Sequence, residues 1–212
     1  MKIALINGSP KRKESASGLV LEIFKAFVAK DDNQIYEFHF DQPQVRKEEI
    51  TLLADCDLLL LAFPLYVDGI PSHLLHCLRQ LEGAFRAPGG KEIMVYTIVN
   101  CGFYEDAHNE LAIAMMKNWS ERAGLKWGQG LAIGGGGMLP FLKSIPLGRG
   151  PFKKLKPAFA QLASHALNRS SGETIFFTPA FPRFLYKLAG EIGWRQAVKA
   201  NGLRSGDLFL RK

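Results

Sequence analysis

The chain has 212 residues, of which 47% are hydrophobic and 22% charged, with 27 Lys+Arg against 20 Asp+Glu. A chain of this length buries roughly 70% of its unfolded surface on folding, which excludes a disordered chain and a miniprotein held by metal or disulfides. Cys56, Cys77 and Cys101 are odd in number and widely spaced, so they form neither a disulfide framework nor a zinc site, and they point to reducing cytoplasm.

The formal charge of +7 is unevenly placed. Residues 1–137 carry 14 Lys+Arg and 17 Asp+Glu, a balance of -3, whereas residues 138–212 carry 13 and 3, a balance of +10. The second stretch also holds 8 of the 15 phenylalanines. Two parts are therefore expected, a core over 1–137 and a basic, aromatic-rich extension over 138–212 that packs on the core or on a dimer partner. The apolar run Ile3 to Ile6 is too short for a signal peptide, and nothing approaches the ~18 consecutive apolar residues of a membrane span.

Short apolar runs alternate with helical patterns along the first part, as in a parallel sheet covered on both faces. Lys2 to Ile6 reads as a strand stopped by the turn signal Asn7-Gly8-Ser9-Pro10. A helix follows from about Ser15, with Leu19, Ile23 and Phe27 on one stripe beside Val20, Phe24 and Val28. Ile35 to Phe40 alternates like a half-exposed edge strand. Asp57 to Phe63 contains an unbroken apolar run, a central strand ended by Pro64. Pro71 suits the first turn of the next helix, whose face is Ile70, Leu74, Leu78 and Leu81. Ile93 to Val99 is another buried strand, Asp106 a cap for a helix carrying Leu111, Met115 and Trp119, and a weaker strand before Gly134 completes five. Gly134 to Gly137 is a permissive loop, and residues 138–151 are turn-rich. Lys156 to Arg169 returns to helix, with Phe159, Leu162, Ala163, Ala166 and Leu167 apolar. Residues 183–200 form a last helix, bent around Gly190 and Gly193.

Three loops follow strands and can carry chemistry. Gly8 to Ser17 offers the Ser9, Ser15 and Ser17 hydroxyls, backbone N–H groups and a helix N-terminus to one phosphate, with charge from Lys11 or Arg12; an ordinary solvated turn with a serine cap explains the same residues. It is neither the Gly-x-Gly-x-x-Gly fingerprint nor a nucleoside-triphosphate loop. Pro64 to Pro71 places Leu65 and Tyr66 where open parallel sheets bind ligands, able to cover a flat heterocycle, although Asp68 and Tyr66 serve equally to cap and cover the next helix. Asn100 to Asp106 brings Asn100, the Gly102 backbone and Tyr104 to the same edge. Cys101 has no base assigned to it and reads as a buried structural cysteine.

The segments KIALINGSPKRKESASG (2–18), FPLYVDGIPSHLLHCL (63–78) and NCGFYEDAHNELA (100–112) resemble the flavodoxin-like NAD(P)H-dependent FMN reductases, including multimeric flavodoxin-like oxidoreductases. The tail FPRFLYKLAGEIGWRQAVKANGL (181–203) is similar to a C-terminal extension of some relatives. The resemblance implies a doubly wound five-stranded parallel sheet of order 2-1-3-4-5. It further implies that Ser9, Arg12, Ser15 and Ser17 receive the FMN phosphate, that Pro64, Leu65, Tyr66 and Val67 contact flavin or ribityl, and that Asn100, Cys101, Gly102, Phe103 and Tyr104 form another wall. SPKRKESAS is longer and more basic than the family's phosphate loop, and the chain lacks the compact cysteines of the iron-sulfur branch.

By the same resemblance, NADH or NADPH reduces FMN at N5, and a small quinone, nitro, azo or flavin-like acceptor then takes the electrons, with no protein nucleophile and with Tyr66 and Tyr104 positioning the ring. A non-enzymatic flavodoxin-like electron carrier is the nearest alternative, and a basic membrane- or nucleic-acid-interaction module a third. Arg149, Lys153, Lys154 and Lys156 either concentrate an anionic nucleotide or merely solubilise their flank. Phe176, Phe177, Phe181, Phe184, Leu185 and Tyr186, with the basic Arg183, Lys187, Arg195 and Lys199 interleaved with that apolar face or following it, suit a homodimer interface better than a membrane surface. No nucleic-acid module accompanies the charge. The five histidines make no metal-ligand set, and Glu105 with Asp106 suits capping better than acid/base work.

Overall fold

Strand Lys2–Asn7 (β1) pairs in parallel with both Gln34–His39 (β2) and Leu58–Pro64 (β3). Met94–Asn100 (β4), Lys126–Ile133 (β5) and Ile175–Phe177 (β6) extend the sheet, all parallel, in the order β2-β1-β3-β4-β5-β6. This computed structural model describes residues 1–29, 33–86 and 91–209. The expected order 2-1-3-4-5 is present, extended by one edge strand. β6 has only three residues, too few for a period to be read from sequence.

Six helices follow in chain order among the described residues: Ala16–Val28 (α1), Lys47–Ala54 (α2), Ser72–Phe85 (α3), Glu110–Arg122 (α4), Leu155–Leu167 (α5) and Arg183–Ala200 (α6). α1 and α5 lie together on one sheet face, where Phe27 and Phe159 stack with ring centroids 6.2 Å apart. α2, α3 and α4 cover the other, burying Leu53, Leu74, Leu78, Leu81, Met116 and Trp119 against Leu59, Leu61, Phe63, Val95 and Val99. β3 and β4 are buried on both sides, so their apolar runs do not alternate. Burying one such leucine stabilises the fold by about 1.5–3 kcal/mol.

Three local expectations change. Asp106 opens a short 3-10 turn, Asp106–Asn109, and α4 starts only at Glu110, so its buried stripe is Ala112, Ile113, Met116, Trp119 and Ser120 while Leu111 is exposed. Pro71 stands at the N-cap of α3, one residue before its first turn. α6 runs unbroken through Gly190 and Gly193.

The 137/138 boundary also moves, because the chain divides into compact units Met1–Pro179 and Ala180–Lys212. Residues 138–179 belong with the sheet for a physical reason: α5 lies on α1 and β5, and β6 hydrogen-bonds to β5. Tyr96, buried in β4, shares its single hydroxyl proton between the carbonyls of His165 and Ser170, both at 2.8 Å, fastening the α5–β6 connection. Within the second unit, α6 ends at Ala200 with Asn201 as its C-cap, and Gly202, with φ of 74°, leads toward the 3-10 turn Ser205–Phe209.

Candidate active site at the carboxyl edge of the sheet

Parallel pairing sets the strand ends side by side: Asn7 opposite Ala62, Pro64 opposite Asn100, and Asn100 opposite Ile133. The loops after β1, β3, β4 and β5 therefore leave from one edge, and the first two flank the point where strand order reverses between β1 and β3.

The first loop is built around buried hydroxyls. Ser15 caps α1 by accepting the Gly18 N–H at 3.0 Å, and it also accepts Asn7 Nδ2 at 3.2 Å. Asn7 Oδ1 accepts the Ser9 N–H at 3.0 Å, and Ser9 Oγ accepts the Lys11 N–H at 3.2 Å. His39, from the end of β2, approaches the Ser9 carbonyl with Nε2 at 2.9 Å; a carbonyl only accepts, so this nitrogen carries the proton. Ser17 Oγ accepts Asn100 Nδ2 at 3.0 Å. Ser9, Ser15 and Ser17 are 3%, 8% and 1% exposed, a degree of burial unlike an ordinary solvated turn.

Lys11, Arg12 and Lys13 are exposed around these hydroxyls. Arg12 is ion-paired with Asp41, just beyond β2, and the guanidinium holds the Asp41 carboxyl below its usual range. Lys143, in the 3-10 turn Gly136–Lys143, reaches Glu14 of the loop at 3.5 Å.

The second loop folds back as a two-residue turn. Tyr66 and Gly69 exchange backbone hydrogen bonds, both 3.1 Å, and the residues between them, Val67 and Asp68, have φ of 49° and 58°. Such hairpins need positive φ at both central positions and ordinarily use Asn or Gly. A β-branched residue there is strained, and Val67 is fully exposed at the tip with Tyr66 half exposed beside it. Pro64 and Leu65 are half-buried beneath, with the Leu65 N–H donating to the Asn100 carbonyl at 2.8 Å.

The third loop divides its labour. Gly102 and Phe103 are exposed, the Phe103 ring 4.3 Å from that of His108. Cys101 is buried, its thiol directed at the Phe103 and Glu105 carbonyls while accepting Asn109 Nδ2 at 3.4 Å. Burial holds this thiol above its ordinary range, so at neutral pH it stays protonated and is a poor nucleophile. Tyr104 is half-buried, its hydroxyl bonded to the Pro179 carbonyl at 3.2 Å. Gly102 and Phe103 are thus solvent-exposed, and Cys101 and Tyr104 serve as fastenings.

The tetraglycine proves to be a close crossing. A Cβ at Gly134 would lie 2.4 Å from the Tyr104 carbonyl oxygen, and one at Gly136 2.6 Å from that of Cys101. Gly135 and Gly136 donate to the Phe103 and Cys101 carbonyls at 2.6 and 2.7 Å, pinning the third loop. Sequence reasoning missed Asn7, His39, Asn109 and these glycines as site-building residues. For Asn7, a polar residue directly after an apolar strand and two before Ser9 was the available signal.

Buried hydroxyls at a helix N-terminus thus stand beside two partly exposed loops with flat side chains, at the carboxyl edge of a doubly wound α/β sheet. Neither a protein-family model nor a curated protein matches the sequence. Among solved structures, an NADH:FMN oxidoreductase in its apo form superposes with a TM-score of 0.61 at 19% identity, over 81% of this chain and 91% of that one. An NADPH-quinone reductase from P. pentosaceus gives 0.56 at 17% identity, over 78% and 98%. A WrbA-like flavodoxin from Agrobacterium tumefaciens gives 0.53 at 9%, over 79% and 98%. At these identities what is shared is the fold: the chain has the flavodoxin-like fold.

Proposed function

We propose that this chain is an FMN-dependent NAD(P)H oxidoreductase that passes electrons to a small quinone, nitro, azo or flavin-like acceptor. The observation that carries the reading is the trio of buried serines at the α1 N-terminus, placed beside the apolar loops after β3 and β4. That donor set fits FMN: hydroxyl and backbone donors, the α1 dipole and nearby Lys11, Arg12 and Lys13 suit a phosphate, and the exposed Tyr66, Val67 and Phe103 suit a flat ring. The named activities of the solved structures of like fold agree with it.

When bound, FMN supplies hydride acceptance and electron release, so the chain has only to bind and orient. Ser9, Ser15, Ser17 and the loop amides hold the phosphate; Arg12, engaged with Asp41, contributes field rather than a dedicated contact. Pro64, Leu65, Tyr66 and Val67 would cover the ring from one loop, and Gly102 and Phe103 from the other, with the buried Asn100 holding Ser17 behind them. Cys101 and Tyr104 keep that second loop in place, as their bonds to Asn109 and Pro179 indicate. No side chain is asked to act as acid, base or nucleophile.

We extend the proposal to a cytoplasmic homodimer. Among the described residues, no helix is long and apolar enough to cross a membrane. The test is anaerobic: purified protein is reconstituted with FMN, and bound-flavin reduction is followed after NADH or NADPH is added. Reduction supports the oxidoreductase, binding without reduction selects an electron carrier, and absence of FMN binding overturns the reading.

A further inference from the structure

Behind the serines stand two asparagines from different strand ends. Asn7 Oδ1 accepts the Ser9 backbone N–H at 3.0 Å, and a backbone amide can only donate, so the atom facing Ser15 Oγ at 3.2 Å is Nδ2. Ser15 Oγ also accepts the Gly18 N–H at 3.0 Å. Both of its lone pairs are then taken, and only the O–H remains for a further partner.

Asn100 occupies one lone pair of Ser17 in the same way and leaves the other open. Its Nδ2 donates to the Phe63 carbonyl at 3.1 Å, an acceptor only, so the same nitrogen donates to Ser17 Oγ at 3.0 Å. Among the described residues, neither serine donates its proton to an acceptor in the chain, although both are less than 9% exposed. Two buried hydroxyl protons without acceptors are costly unless a ligand provides them.

We propose that Asn7 and Asn100 are positioning residues, Asn7 locking the Ser15 hydroxyl as a donor and Asn100 biasing the Ser17 hydroxyl the same way, so that the loop selects a ligand ending in a phosphate monoester, a group that only accepts. The proposal rests on the FMN reading and deepens it. Without Asn7 the Ser15 hydroxyl is free to turn and offer a lone pair to the ligand, which repels a phosphate oxygen, and without Asn100 both lone pairs of Ser17 are open. With them, the serines discriminate FMN from the same ring lacking its phosphate.

The test is a double-mutant cycle, Asn7→Asp with and without Ser15→Ala, using apoprotein titrated calorimetrically with FMN and with riboflavin. Asn7→Asp keeps the size of the side chain and its bond from Ser9, but turns the donor facing Ser15 into an acceptor that captures the serine proton. FMN should then bind about 10- to 100-fold more weakly, as for a lost hydrogen bond to a charged group, with riboflavin unchanged. In the Ser15→Ala background the same change should cost less than about threefold, since the coupling partner is gone. Equal losses in both backgrounds would identify a plain charge effect and overturn the proposal, as would equal losses for riboflavin or an unchanged FMN affinity. Asn100→Asp with Ser17→Ala runs the same cycle independently, and loss of folding in both aspartate variants would assign the asparagines a structural role only and overturn it. If wild-type protein fails to bind FMN, the cofactor reading falls and this proposal with it; wild-type binding with an indifferent Asn7→Asp defeats the proposal alone.

Discussion

Replacing Val67 should stabilise the protein. Val67 holds φ of 49° at the tip of the turn after β3 and is fully exposed, so its side chain buries nothing that would offset the strain. An L-residue in the left-handed region costs about 1–2 kcal/mol, and asparagine, which bonds locally to the backbone, tolerates that region best among non-glycine residues. Val67→Asn is therefore expected to add about 1 kcal/mol of unfolding free energy, a rise of about 2–4 °C in Tm for a chain of this size. Val67→Gly relieves the same strain but loses about 0.5–1 kcal/mol to unfolded-chain entropy, so it should fall below the asparagine variant. Urea denaturation and thermal melts of apoprotein measure both. A neutral or destabilised Val67→Asn, or glycine more stable than asparagine, would refute the strained-turn argument. If Val67 covers the flavin ring, the stabilised variants should also bind FMN less tightly, the usual exchange of stability for function at a strained site.

Other outcomes follow from the same geometry. Gly136→Ala drives a Cβ to 2.6 Å from the Cys101 carbonyl, inside rigid backbone, and should destabilise by about 1–3 kcal/mol in urea melts; a variant as stable as wild type would contradict the close crossing. Burial raises all three thiols, those of Cys56 and Cys77 to about 11, so native protein should label slowly with a thiol reagent and rapidly once unfolded; fast native labelling of Cys101 would reverse its assignment as structural. Asp41 is held below its ordinary value of 3.8 chiefly by the Arg12 hydrogen bond, so the pair's contribution is present above that value and lost as pH falls through the lowered folded one. Asp41→Asn should flatten the stability profile in that acid window, and an unchanged slope would show the pair to be idle. Arg12→Ala should weaken FMN binding by less than about tenfold, because Asp41 already offsets its charge; a larger loss would show that the guanidinium leaves Asp41 for the phosphate.

The strands β1 to β5 and the loops after β1, β3 and β4 were legible because central parallel strands are unbroken apolar runs, and turn residues mark where they stop; the order 2-1-3-4-5 came from the resemblance. Leu58 to Phe63 reads as a buried strand in any context, and Pro64 ends it. β6 was not legible: Ile175–Phe177 resembles a short aromatic patch until β5 offers it hydrogen bonds. The expected boundary at 137 followed a change of composition, whereas the compact unit follows contacts of α5 and β6 and runs to Pro179.

Residue types in the loops made Ser9, Ser15, Ser17, Tyr66 and Tyr104 candidates, because chemical identity and position after a strand are local properties, and the resemblance added Phe103. The partners of those side chains are not local. Asn100 and Ser17 are 83 residues apart, Tyr104 and Pro179 75, and nothing in periodicity or spacing says that one amide will consume a serine's lone pair or that one tyrosine will be spent fastening a loop. What the sequence determined is an α/β chain with a basic, serine-containing loop beside flat side chains. Tertiary structure alone decided which hydroxyls keep a proton to give, which wall residues face outward, and where the basic extension stops being part of the sheet. Those outcomes depend on which atoms meet across the strand ends, and parallel pairing brings together residues that the chain itself keeps far apart.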